Sequence, residues 1–162
     1  MVKRILTLAT HKIYSLPVIV LMPHSSCNCR CIMCDIWKAN HNRKEISVDS
    51  LQNQIQTFRK LRVREVVLSG GEALMHSNLW KLCALLKENR IRVTLLSTGL
   101  LFKKWAADIA RYVDHVIVSL DGSAQVHDQI RNVPHAFAKM AAGIQELKQH
   151  KPHLLVTGRC VL

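Results

Sequence analysis

Short aliphatic and β-branched runs alternate along the chain with longer segments whose apolar positions recur every three or four residues. Residues 17–22 (PVIVLM), 64–68 (REVVL), 91–96 (IRVTLL), 115–118 (HVIV) and 154–162 (LLVTGRCVL) read as five strands. The first is continuously apolar, which predicts a strand buried on both faces. Between the strands lie amphipathic helices. Val48, Leu51, Ile55 and Phe58 share one face of a helix that Ser47 can cap, with Asp49 in its first turn. Ser77 or Asn78 caps a second helix with Leu79, Leu82, Cys83 and Leu86 on one side. Phe102, Trp105 and Ile109 face inward on a third, and Phe137, Met140, Ile144 and Leu147 stripe a longer helical region.

Strands that alternate with helices imply an α/β fold with a parallel sheet and right-handed crossovers. A partial (βα) barrel of about five strands fits better than an isolated two-layer unit. The 162 residues are too few for an eight-fold barrel, which needs roughly 250. Residues 1–16 are expected to form an N-terminal extension and residues 17–162 a core domain. A fifth strand at the end of the sequence leaves a sheet edge that needs cover, so the expectation is a fragment of a longer protein or a sheet completed by something else.

A hydrophobic content of 49% excludes a disordered chain. The longest apolar run, 16–22, is far short of the roughly 20 residues of a membrane span and contains Pro17. Lys3 and Arg4 before residues 5–10 imitate a secretory signal. His11 and Lys12 interrupt that stretch and no small-residue cleavage site follows, so a cytoplasmic chain without membrane attachment is expected. Lys and Arg number 23 against 11 Asp and Glu, a formal charge of +12. This favours an acidic substrate or partner through a general field. The densest basic run, 59–64 (RKLRVR), sits where a helix should end and complements its dipole, which leaves a nucleic-acid patch as the weaker reading.

The chemically unusual residues follow the strands, where parallel sheets bind ligands. After the first come Cys27, Cys29, Cys31 and Cys34; after the second, Gly70, Gly71 and Glu72; after the third, Ser97, Thr98 and Gly99; after the fourth, Ser119, Asp121 and Gly122. Soft thiolates select zinc, copper or iron–sulfur clusters. A structural zinc site usually draws two cysteine pairs from separate segments. The remaining thiols, Cys83 and Cys160, are isolated and read as small core hydrophobes. A cluster held from one loop fits better. Cys27, Cys31 and Cys34 show the spacing C-x3-C-x2-C, which leaves one iron of a four-iron cluster without a protein ligand, and Cys29 reads as a bystander. The nine histidines show no ligand spacing, and Trp37, Trp80 and Trp105 read as packing anchors.

The cysteine spacing, with SGGEAL at 69–74 and SLDG at 119–122, resembles the radical S-adenosylmethionine (SAM) superfamily, over roughly residues 17–162. That resemblance implies a [4Fe–4S] cluster on Cys27, Cys31 and Cys34, its open iron chelated by SAM. It also implies SAM contacts at Met33, Gly70, Gly71, Glu72, Ser97, Thr98, Ser119 and Asp121, and an anion partner for Arg131. Glu72 would accept hydrogen bonds from the methionine ammonium. Two departures stand out: Met33 replaces the usual aromatic residue before the last cysteine, and the family's later strands are absent. The implied activity is reductive cleavage of SAM to a 5′-deoxyadenosyl radical that takes hydrogen from a small-molecule or peptide substrate, fed by a one-electron reductant of flavodoxin or ferredoxin type. No residue is identified as a substrate-specific acid, base or radical relay. The alternatives are a non-catalytic zinc-thiolate module and an inactive truncated remnant.

Overall fold

The computed structural model describes residues 2–160. Five parallel strands run in sequence order: β1 (Val18–His24), β2 (Glu65–Gly70), β3 (Arg92–Ser97), β4 (His115–Ser119) and β5 (Leu155–Arg159). The connecting helices are α2 (Val48–Leu61), α3 (Leu79–Glu88), α4 (Phe102–Tyr112), α5 (Ala124–Arg131) and α6 (Ala136–His150), after an N-terminal helix α1 (Val2–Thr10). This is the expected α/β partial barrel.

Side chains alternate across each strand, and one set builds the core. Val66, Leu68, Val93, Leu95, Val116 and Val118 are buried against Leu51, Ile55, Phe58, Leu82, Leu86, Phe102, Ile109, Met140 and Leu147 of the helices. Each such side chain contributes about 1.5–3 kcal/mol on burial. The opposite face is more polar: Thr94 Oγ1 donates to Glu65 Oε1 at 2.5 Å, and His115 Nε2 lies 3.0 Å from Thr157 Oγ1.

Ser47 caps α2 as the sequence predicts, its side chain accepting from Ser50 N, and Arg62 closes the helix in a left-handed conformation. Asn78 occupies the cap position of α3 without a side-chain capping bond, its Nδ2 donating to Ser77 Oγ instead, while Ser77 donates its hydroxyl to Glu45 Oε2.

Several expectations are corrected. β1 is not buried on both faces: Val18, Val20 and Met22 are 46%, 61% and 61% exposed. It is an edge strand packed by helices on one side only, so a continuous apolar run mimics full burial. β5 is shorter than residues 154–162 and carries an exposed Leu155; Val161 and Leu162 lie outside the described residues. Trp105 sits at a kink in α4 and is half-buried, its ring edge-on to Trp80, which stacks on Tyr112. The signal-like pattern near the start of the sequence concealed a helix, α1, with Ile5 and Leu8 exposed.

Glu45 ties the segment after the cysteines to α3. Its carboxylate pairs with Arg43 Nη2 at 2.6 Å and accepts from Ser77 N at 3.1 Å. Burial pushes its pKa up, but the Ser77 hydrogen bonds and the neighbouring His76 and Arg43 prevail and hold it down at about 2, from an ordinary 4.5. A depressed acid stabilises the fold above its unfolded pKa and loses that contribution as pH falls through the folded one. Wild-type stability is therefore expected to fall between pH 4.5 and 2 more steeply than that of Glu45→Gln, as read by urea unfolding across that window.

Candidate functional site

The carboxyl ends of β2 to β4 and the loop after β1 enclose a cavity of about 150 Å³, lined by Cys27, Cys31, Met33, Cys34, Ile36, Ser69, Gly70, Gly71, Leu96, Ser97, Thr98, Ser119 and Arg131. Loops following four different strands thus converge on the face where the parallel topology directs ligands.

The first wall is the cysteine loop. Its backbone is held without regular structure, through hydrogen bonds that the sequence pattern does not advertise. Cys27 N donates to Asn40 Oδ1 at 3.0 Å, and Asn40 Nδ2 returns a bond to Cys27 O at 2.9 Å. Arg30 N and Ile32 N donate to the carbonyls of Arg131 and Ile130 at 3.2 and 3.0 Å. Asn40 lies in a 3-10 segment (Ile36–Asn42) and was missed by sequence reasoning, because a single asparagine outside any periodic element gives no signal.

Cys29 is buried, at 1% exposure. The neighbouring Cys27 and Cys31 thiols, with burial, push its pKa up. The influence of Cys29, joined by Arg131, lowers Cys31 to about 6 against the cost of burial. Cys27 is lowered by Cys29 in the same way. Among the described residues no three His, Cys, Asp or Glu side chains are already gathered in metal-ligand geometry.

The second wall is the turn after β2. A Cβ on Gly71 would lie 2.1 Å from Ser26 O, so only glycine lets the turn approach the cysteine loop this closely. Gly71 N and Glu72 N donate to His24 O and Ser26 O at 3.3 and 2.8 Å, which locks the two loops together.

Glu72 is enclosed by the protein. It is 1% exposed, and its carboxylate is occupied by the protein itself. It accepts from Thr98 N at 2.8 Å, Thr98 Oγ1 at 2.7 Å, Ser97 Oγ at 3.0 Å and Leu74 N at 3.1 Å. Burial raises its pKa, and these donors oppose the rise. In this arrangement Glu72 fixes Ser97 and Thr98.

Asp121 is likewise turned inward. Its Oδ2 accepts from Arg131 Nε at 2.6 Å, and Asp121 N donates to the buried His127 at 3.3 Å. The anionic group that Arg131 meets within the chain is thus the Asp121 carboxylate, and its Nη1 also lies 3.6 Å from the Cys31 sulfur. Met33 is 48% exposed at the cavity rim. His24, His76 and His127 are core residues. Burial lowers the His24 pKa, although its Nδ1 lies 3.1 Å from Glu45.

The sequence profile of the radical SAM superfamily matches residues 21–162. The chain belongs to that superfamily. As a radical SAM chain it is 27% identical over 129 residues to an AdoMet-dependent heme synthase of Methanosarcina barkeri, covering 77% of this chain and 37% of that protein. It is 30% identical over 131 residues to an AdoMet-dependent heme synthase of Oleidesulfovibrio alaskensis, covering 76% and 33%. Among solved structures, anSMEcpe with bound AdoMet superposes with a TM-score of 0.72 at 20% identity, covering 90% of this chain and 42% of that one. Streptococcus suis SuiB bound to its precursor peptide SuiA gives 0.69 at 22%, covering 90% and 34%. This radical SAM chain thus spans about a third of the length of these curated relatives. The structural likeness establishes the partial (βα) barrel.

Proposed function

We propose that the chain binds a [4Fe–4S] cluster through Cys27, Cys31 and Cys34, binds SAM beside it, and cleaves SAM reductively to abstract hydrogen from a substrate. The observation that carries this reading is the convergence of those three thiols with Gly70, Gly71, Ser97, Thr98 and Ser119 on one cavity in a radical SAM chain. The donor set fits the cluster: three soft sulfurs on one loop, with the Arg131 guanidinium to balance thiolate charge. The chemistry that such a cluster supplies when bound is one-electron reduction of the SAM sulfonium, yielding methionine and a 5′-deoxyadenosyl radical.

The chain's own residues supply position and enclosure. Gly70 and Gly71 would present bare backbone to SAM. Thr98, held by Glu72, and Ser119 would offer hydroxyls, and the Met33 thioether would offer an apolar, polarizable contact. Glu72 and Asp121 act from behind, by fixing Thr98 and Arg131.

A peptide substrate draws support from the SuiB likeness, where the neighbour holds its precursor peptide. The heme synthase relatives support a small molecule, and the +12 charge favours an acidic one. A flavodoxin or ferredoxin type of reductant completes the reading. Among the described residues no helix is long and apolar enough to cross a membrane.

Anaerobic reconstitution with iron and sulfide tests the reading. The expected result is a brown protein with the EPR signal of a reduced four-iron cluster, altered by SAM, and 5′-deoxyadenosine under reductant. A colourless protein that binds zinc and ignores SAM overturns it in favour of the thiolate module. A cluster without 5′-deoxyadenosine formation identifies an inactive remnant.

A further inference from the structure

Arg131 closes α5, and the end of that helix grips the cysteine loop at three points around a single residue. Its main-chain carbonyl accepts from Arg30 N at 3.2 Å, and the Ile130 carbonyl accepts from Ile32 N at 3.0 Å. The backbone on both sides of Cys31 is thereby pinned to the last turn of the helix. The side chain supplies the third point: Nε donates to Asp121 Oδ2 at 2.6 Å while Nη1 is directed at Cys31 Sγ, 3.6 Å away. Arg131 and Asp121 are 7% and 5% exposed, so water competes little for either bond.

The chemistry of the fork matters. A planar guanidinium can hold a carboxylate through one nitrogen and a sulfur through another in fixed relative geometry; a lysine ammonium is a point donor on a flexible stem. The aspartate therefore sets the angle at which the guanidinium addresses the sulfur. Nothing in the proposed contacts to SAM requires this pairing.

Building on the reading that Cys31 is a cluster ligand, we propose that Asp121 and Arg131 form a positioning pair that orients Cys31 and tunes the cluster by donating a charge-assisted hydrogen bond to its sulfur. Hydrogen bonds to cluster sulfurs and a nearby cation are established determinants of reduction potential. The reduced cluster carries one more negative charge than the oxidised one. A cationic donor at a ligand sulfur therefore stabilises the reduced form more and raises the potential.

The test uses the full chain, reconstituted anaerobically and titrated by EPR-monitored reduction without SAM. That omission separates this role from a contact between Arg131 and the SAM carboxylate, which would leave the SAM-free cluster unchanged. Arg131→Met is expected to shift the reduction equilibrium at least about tenfold toward the oxidised form, equivalent to a potential about 59 mV lower. Asp121→Asn removes an anion as well as the hold on the guanidinium, two opposed effects, so its shift is expected to be smaller than that of Arg131→Met, and Arg131→Lys is expected to recover only part of the loss. Electron–nuclear double resonance of the wild-type cluster after exchange into D2O should reveal an exchangeable proton coupled to it, absent in Arg131→Met.

Variants that assemble a cluster with wild-type potential overturn the proposal. So does a wild-type cluster with no exchangeable coupling, a measurement that depends on no variant's folding. Failure of the wild type itself to assemble a cluster removes the underlying site reading instead, and is seen before any variant is compared.

Discussion

Replacing Gly71 by alanine will reduce reconstituted iron to background while leaving most of the helical signal intact. The new Cβ would stand 2.1 Å from Ser26 O and 2.5 Å from Ser26 C. Both are backbone atoms, so no rotamer change relieves the clash. The cysteine loop has to move, and the bonds from Gly71 N to His24 O and from Glu72 N to Ser26 O go with it. Overpacking typically costs about 1–3 kcal/mol, and here the cost falls on the contact that places Cys27 beside the turn after β2. The main core, centred on Leu68, Leu82, Leu95 and Phe102, lies elsewhere. Iron quantitation alongside far-UV circular dichroism checks both halves. Full iron loading in Gly71→Ala would mean that the loop docks by some other contact.

Glu72→Ala is expected to have the largest effect on stability. The fully buried carboxylate accepts four donors from Ser97, Thr98 and Leu74. Removing it leaves Thr98 N and two hydroxyls without their partner in a site with little water. Leaving a buried donor without its acceptor costs about 1–3 kcal/mol, and several are orphaned together here, a large share of a total that is usually about 5–15 kcal/mol. Chemical denaturation measures it. The β3 end is expected to loosen first, so hydrogen exchange at Thr98 and Gly99 should accelerate even under native conditions. A variant within about 1 kcal/mol of wild type would show that Glu72 is free to serve a ligand directly, as its position after two glycines first suggested.

The two variants fail in different ways. Gly71→Ala separates two loops that are each intact, whereas Glu72→Ala removes the acceptor that organises a strand end. The Arg131 variants change neither loop contact at Gly71 nor the Glu72 constellation, so they probe the cluster through Cys31 alone.

Much of this molecule was legible in its sequence, because periodicity reports which faces are apolar. The five strands, the helices between them and the cap at Ser47 follow from local pattern, and so does the gathering of chemical residues after the strands. The cysteine spacing and the SGGE and SLDG segments pointed to the superfamily that the profile match establishes. Pattern failed where environment, not local preference, decides. β1 reads as buried because apolarity cannot distinguish an edge strand from a central one.

The sequence by itself determined which elements form and which residue types stand at the carboxyl end of the sheet. Only the tertiary structure decided what each of those polar groups spends its hydrogen bonds on. Glu72 is claimed by Ser97 and Thr98, Asp121 by Arg131, and Arg131 by Cys31, a residue one hundred positions away in the chain. A buried carboxylate or guanidinium takes its partners from whatever the fold brings within about 3 Å, and strand crossovers set those neighbours without leaving a local trace in the sequence.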